Sequence, residues 1–169
     1  NELRAFSEKY KVPVVSTMMG IGAMPTKHPM YFGMVGNNGK PYANRAMNES
    51  DLLIMVGARV ADRAISQPGL ITQNKILVHI DVDPVEIGKN ACPTIPLVGD
   101  AKHIFNELLG MEMECEHEEW LKTLEEYRNT MERKRTPNPD YVDPAGFITM
   151  LSEKMHDRGV YVADVGQNQ

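Results

Sequence analysis

The chain has 169 residues, of which 42% are hydrophobic and 24% charged, and its formal net charge is -5. This length suits one compact domain, or a domain with an appended segment. The acidic balance argues against non-specific attraction to nucleic acid or anionic membrane, and no apolar run approaches the ~18 residues needed to span a bilayer. The opening residues lack the basic-then-apolar layout of a signal peptide. Cys92 and Cys115 show no metal-binding or redox spacing and read as free thiols in a reducing cytoplasm. The twelve methionines read as substitutes for Leu and Ile in a core.

In chain order, Leu3, Phe6 and Tyr10 share one face of a helix over residues 2–11. Val12, Val14 and Val15 then form a short strand that ends in a glycine-bearing loop, Ser16-Thr17-Met18-Met19-Gly20. Pro41 suits the first turn of a helix running to about Met47. Continuous apolar strands follow at 52–56, 76–82 and 95–98, and the next helix carries Ile104, Phe105, Leu108 and Leu109 on one stripe. Strands apolar on both faces and separated by helices predict a parallel sheet covered on both sides. Residues 111–135 read as one long charged helix with Trp120, Leu124, Tyr127 and Met131 on a narrow apolar stripe. Glu112, Glu114, Glu116, Glu118 and Glu119 form its solvated start. Pro137, Pro139 and Pro144 make a stiff connection to a last helix, and a strand is expected at 160–162.

In such sheets ligands bind beyond the carboxyl ends of the strands. Four glycine-bearing turns lie there or at helix starts: Gly20-Ile21-Gly22, Gly36-Asn37-Asn38-Gly39, Gly57-Ala58-Arg59 and Gly99-Asp100. None matches a dinucleotide fingerprint or a P-loop, so each alone is a plain turn; together they outline a nucleotide-binding edge. Arg59 suits a diphosphate or is a surface arginine. Asp81 suits ribose hydroxyls or caps the turn at Asp83-Pro84. Glu86 suits a capping box opened by Asp83. His79 reads as a hydrogen-bonded core histidine, and no catalytic triad or metal set can be assembled from the five histidines.

These segments together resemble the catalytic subunit of the acetolactate synthase (acetohydroxyacid synthase) family of thiamine-diphosphate enzymes. The matching stretches are Val14-Val15-Ser16-Thr17-Met18-Met19-Gly20-Ile21-Gly22, His28-Pro29, Gly33-Met34-Val35-Gly36 with Gly39, and Tyr42-Ala43-Asn44. Residues 51–63 (DLLIMVGARVADR), residues 79–89 (HIDVDPVEIGK), Val98-Gly99-Asp100 and Asp164-Val165-Gly166-Gln167 continue the series in family order.

The resemblance implies a Rossmann-like (DHS-type) α/β fold. Residues 1–111 would form the central nucleotide- or FAD-binding domain, its first strand expected before Asn1. Residues 112–143 would form a linker, and 144–169 the truncated start of the thiamine-diphosphate domain. It implies FAD contacts at Thr17, Met18, Met19, Val35, Gly36, Gly39, Gly57, Ala58, Arg59, Asp81, Val82, Glu86 and Asp100. It further implies a substrate-channel role for Arg63 and thiamine-diphosphate contacts at Gly166, Gln167 and Asn168. No catalytic residue and no metal ligand falls within the chain. Asn37-Asn38-Gly39-Lys40 and Ala61 depart from the family pattern at expected flavin contacts, leaving FAD, ADP or an empty site as alternatives.

The implied parent is a cytoplasmic homo-oligomer, with a regulatory subunit as a further partner. It would use thiamine diphosphate and magnesium on small 2-oxo acids, and the chain alone is expected to be inactive and to bind no cofactor tightly. A stand-alone nucleotide-binding module and a sirtuin-like deacylase are the competing classes. The second would ordinarily carry four zinc-binding cysteines, and the sequence has two.

Overall fold

The computed structural model describes residues 1–60, 68–132, 140–155, 158–160 and 162. They belong to two units, Asn1–Glu132 and Arg133–Gln169. The first begins with α1 (Glu2–Tyr10), β1 (Val14–Ser16), a 3-10 turn at Met18–Gly20 and β2 (Tyr31–Met34). It continues through α2 (Pro41–Glu49), β3 (Leu52–Val56), a 3-10 turn at Pro68–Ile71, β4 (Ile76–Asp81) and β5 (Ile95–Val98). It ends with α3 (Ala101–Leu109) and α4 (Glu118–Met131).

All strand pairings are parallel. β1 pairs with β2, and β3, β4 and β5 form a second sheet in that order with β4 in the middle. α2 connects β2 to β3. Helices cover both faces. On one side Phe6 and Tyr10 of α1 and Phe105 of α3 pack with Val12, Ile54 and Val56. On the other, Tyr42, Ala43 and Met47 of α2 pack with Val15, Leu53, Met55 and Leu77, and α4 adds Leu124 against Phe32. Alternate residues of β3 thus feed opposite layers, which explains why that strand is apolar throughout. Val15 of β1 and Leu53 of β3 share the α2 layer, and among the described residues neither strand has a partner on its remaining edge.

Polar side chains tie the helices to this frame. The Tyr10 hydroxyl donates to the carbonyls of Leu108 and Met111 at 2.9 and 2.7 Å, and Lys9 Nζ donates to Leu109 O at 2.7 Å. The lysine bond occupies the Leu109 carbonyl, which the end of α3 would otherwise leave unpaired. Arg128 of α4 lies over the Phe32 ring, 4.2 Å from its centre, and donates to Tyr31 O at 2.9 Å, which fixes α4 on β2.

Several features differ from the sequence reading. β2 was not expected, because it is short and holds Gly33 at φ 92°. α4 begins at Glu118, so Glu112, Glu114 and Glu116 precede it, and Glu118 and Glu119 alone supply its acidic first turn. Met24, Met47 and Met55 are core residues, but Met18, Met19, Met111 and Met113 are exposed. Val160 and Val162 are exposed and lie in no strand, and Tyr161 between them lies outside the described residues.

In the second unit Pro144 opens α5 (Pro144–Met155) and does not extend the linker. Asp143 caps it, accepting from Gly146 N at 3.1 Å. Phe147, Ile148 and Met150 are exposed on this helix. Pro137 and Pro139 lie outside the described residues. No helix among the described residues is long and apolar enough to cross a membrane.

Candidate functional site at the carboxyl ends of the strands

Parallel strands bring the residues that follow them to one rim, and the implied cofactor residues gather there in two groups. The first follows β1 and β2. Thr17 and Met18-Met19 form the tight turn after β1, with Gly20 N donating to Thr17 O at 3.0 Å. Val35 N donates to Ser16 O at 2.8 Å, and the Val35 side chain is buried in the core, leaving this residue little to offer a ligand. Gly36 (φ 106°) and Gly39 close the next turn.

Asn44, on the second turn of α2, holds that turn. Its Oδ1 accepts from Gly36 N at 2.8 Å and its Nδ2 donates to Gly36 O at 3.0 Å. Gly36 therefore cannot give its N–H to a phosphate. A Cβ on Gly39 would collide with Met34 O and stand 2.6 Å from the Val35 carbonyl carbon. The Tyr-Ala-Asn motif thus has a structural purpose: Tyr42 and Ala43 enter the core while Asn44 locks the loop.

The second group follows β3, β4 and β5, whose ends are joined by Gly57 N to Ile80 O and Gly99 N to Asp81 O, both 2.9 Å. Gly57 turns in the left-handed region (φ 58°), and so does Val60 (φ 49°), where a β-branched side chain is strained. Arg59 is exposed, no described residue pairs with its guanidinium, and its carbonyl accepts from Asn90 Nδ2 at 2.9 Å. Asp81 takes up the turn-capping role, Oδ1 accepting from Asp83 N at 2.9 Å. Asp83 caps Val85 N in the same way. Glu86 completes no capping box: its Oε1 accepts from Lys89 Nζ at 2.8 Å, and its Oε2 is buried without a partner. Asp100 is the N-cap of α3, accepting from His103 N at 3.1 Å.

Apolar side chains stand exposed along this rim. Met19 is 94% exposed and Val82 74%, with Met18, Ile21, Val85 and Val98 also open. Burying such residues is favourable, and exposed apolar side chains together with an exposed arginine suit a planar or sugar-bearing ligand with an anionic arm. Arg63, Gly166, Gln167 and Asn168 lie outside the described residues. Among the described residues no three His, Cys, Asp or Glu side chains stand together as metal ligands.

His79 is not among the residues that the resemblance implies at the rim. It lies in the middle strand, level with Met55 and on the face shared by Met55 and Leu77. It is 1% exposed, as expected of a core histidine, but it is not hydrogen-bonded: neither ring nitrogen has a partner. The groups around it are mainly apolar and the backbone ladder is already paired. Burial holds its imidazole below the ordinary histidine range, against the pull of the Asp81 and Glu86 carboxylates.

The family profile described as "Thiamine pyrophosphate enzyme, central domain" matches residues 1–108. Among curated proteins, the acetolactate synthase large subunit of Lactococcus lactis is 35% identical, over 98% of this chain and 29% of its own length. The probable acetolactate synthase large subunit of Methanocaldococcus jannaschii is 36% identical over 99% of the chain and 30% of its own length. The acetolactate synthase of Mycobacterium leprae is 37% identical, with 99% and 28% covered. The chain therefore spans about three tenths of the length of these relatives. A parallel α/β sheet with its glycine turns at the carboxyl rim and a profile match across residues 1–108 agree, and the chain belongs to the thiamine pyrophosphate enzyme family, of which it carries the central domain.

Proposed function

We propose that the chain is the cofactor-holding centre of an acetolactate synthase. Such an enzyme decarboxylates pyruvate and joins the two-carbon unit to a second 2-oxo acid, in branched-chain amino acid biosynthesis. The observation that carries this reading is similarity to acetolactate synthases through almost the entire chain, at 35–37% identity in three separate organisms. In the proposed parent, thiamine diphosphate and magnesium supply the carbanion chemistry. Gly166, Gln167 and Asn168 are the proposed contacts to that cofactor, and Arg63 the proposed lining of the substrate channel. The chain acts as scaffold, and the reaction centre belongs to other parts of a cytoplasmic, homo-oligomeric enzyme with a regulatory partner.

The rim suits FAD bound in extended form. Arg59 offers a cation to the diphosphate, and Asp81 and Glu86 offer acceptors to hydroxyls. Met18, Met19 and Val82 offer apolar cover, and Thr17, Gly57, Ala58 and Asp100 border the same edge. Gly36 and Gly39 shape the turn rather than offer N–H groups, which go to Asn44 Oδ1 and Gly36 O. We also propose that a strand of the intact polypeptide seats between β1 and β3. Among the described residues both edges are unpaired, and Val15 of β1 and Leu53 of β3 pack into the same core layer.

The test is an assay of the intact polypeptide with pyruvate, thiamine diphosphate and magnesium. Acetolactate is the expected product. Turnover of a different 2-oxo acid without acetolactate would move the chain to another branch of the family.

A further inference from the structure

The turn after β3 holds a conformation that it would not adopt unaided. Gly57 enters it in the left-handed region (φ 58°), and Val60 leaves it there as well (φ 49°), where a β-branched residue is strained. Strain of this kind persists only where the surroundings impose it. Here two groups do so. The Val60 side chain is 5% exposed, in the core that α2 covers, and Asn90 Nδ2 donates to the Arg59 carbonyl at 2.9 Å. That carbonyl belongs to the planar peptide between Arg59 and Val60, and rotation of this peptide changes the Val60 φ. The asparagine therefore holds the strained torsion directly.

Asn90 comes from the connection between β4 and β5, 31 residues beyond Arg59, and its neighbour Ala91 is buried in the same core cluster as Val60. Each end of the hydrogen bond thus lies one residue from a core anchor, so little freedom is lost in making it. Both bonded residues are exposed, and water can replace a bond of this kind, so its contribution to stability is small. Its effect on placement is larger. Fixing the Arg59 carbonyl fixes the root from which the guanidinium reaches over the rim, and that guanidinium has no partner among the described residues. Without the amide, the peptide can rotate to relieve Val60, and the arginine moves with it. We infer that Asn90, which is not among the residues that the resemblance implies, is a positioning residue: it clamps the Arg59–Val60 peptide and so places Arg59 for the anionic arm of the ligand. This rests on the reading of Arg59 as the diphosphate partner.

The experiment measures binding of ADP and of adenosine to the intact polypeptide by calorimetry, in the wild type, Asn90→Leu, Arg59→Ala and the double variant. Leucine keeps nearly the size of asparagine and removes the donor. Asn90→Leu is expected to weaken ADP about tenfold, which is the loss of ~1.4 kcal/mol. Affinity for adenosine, which lacks the anionic arm, and the melting temperature should stay at their wild-type values. In the Arg59→Ala background the asparagine substitution should have no further effect on ADP, because its action passes through the arginine. A merely structural asparagine would lower the melting temperature and weaken both ligands alike, and an asparagine that touches the ligand itself would keep its effect in the Arg59→Ala background. Either outcome overturns the inference. It is also overturned if Arg59→Ala weakens ADP while Asn90→Leu does not, and in that case the reading of the rim stands. If Arg59→Ala leaves ADP affinity unchanged, or the wild type binds no ADP, the diphosphate reading fails and the inference fails with it.

Discussion

Asn44 and Gly39 show how single residues set the rim. Asn44 satisfies both the N–H and the carbonyl of Gly36, so the loop after β2 is fixed from beneath by the helix that follows it. Removing that amide strands the Gly36 N–H, and Asn44→Ala is expected to lower stability by about 1–3 kcal/mol. Gly39→Ala is expected to cost about 3 kcal/mol or more, because the atoms a Cβ would meet are backbone atoms that have no way to move aside. Denaturant unfolding of both variants checks this; a Gly39→Ala protein as stable as its parent would contradict the loop geometry.

His79 gives the molecule a pH response with a defined sign. Burial lowers its folded-state pKa, whereas the unfolded chain titrates near ~6.5. As pH falls below that value the unfolded chain takes up a proton that the folded chain refuses, so stability declines, with a slope of at most ~1.4 kcal/mol per pH unit. Glu2, Glu8 and Glu49, all shifted downward by hydrogen bonds, act in a more acidic window below the usual carboxylate range. Comparing wild type with His79→Phe between about pH 6.5 and 5 isolates the histidine. Parallel stability curves for the two proteins would refute its role.

Among the elements, α3 depends on one residue that the resemblance also places at the cofactor. Asp100 opens the helix and accepts from His103 N. Asp100→Ala is expected to cost about 1 kcal/mol through the cap alone, and Asp100→Asn, which caps equally well, much less. Thermal melts of the two variants separate capping from ligand binding, since a cofactor role would affect FAD affinity in Asp100→Asn while stability is preserved. Equal destabilisation by both would show that the cap bond is not what the aspartate provides.

The legible elements were those with unbroken patterns. Residues 52–56 and 76–80 contain apolar side chains on both faces because helices lie on both, and a strand of that kind can hardly be read otherwise. β2 escaped because Gly33 interrupts it and its neighbours are loop-forming; its pairing with β1 holds it, and Arg128 of α4 clamps it from outside. The start of α4 was set too early because an alternating glutamate run carries no helical stripe until Trp120 and Leu121 appear.

For the molecule as a whole, the order of glycine turns after strands located the rim, and the family profile agrees with the fold that this order implied. What sequence could not convey was which side chains the rim has already committed. Asp81, Asp100 and Asn44 spend hydrogen bonds on turns and caps, whereas Arg59 and Glu86 Oε2 keep capacity for a ligand. That distinction depends on neighbours brought together from distant strands. His79 is the same lesson in reverse: its burial was readable from the strand pattern, but its lack of partners follows from what β3 and β5 place beside it.

The claim that matters most is that the carboxyl rim is the cofactor-binding face of the central domain. Hydrogen exchange on the intact polypeptide, with and without FAD, addresses it directly. The account predicts slowed exchange confined to residues 17–22, 35–39, 57–59, 81–86 and 99–101. Slowed exchange at the opposite ends of the strands, or none in these segments while flavin absorbance shows FAD bound, would contradict it.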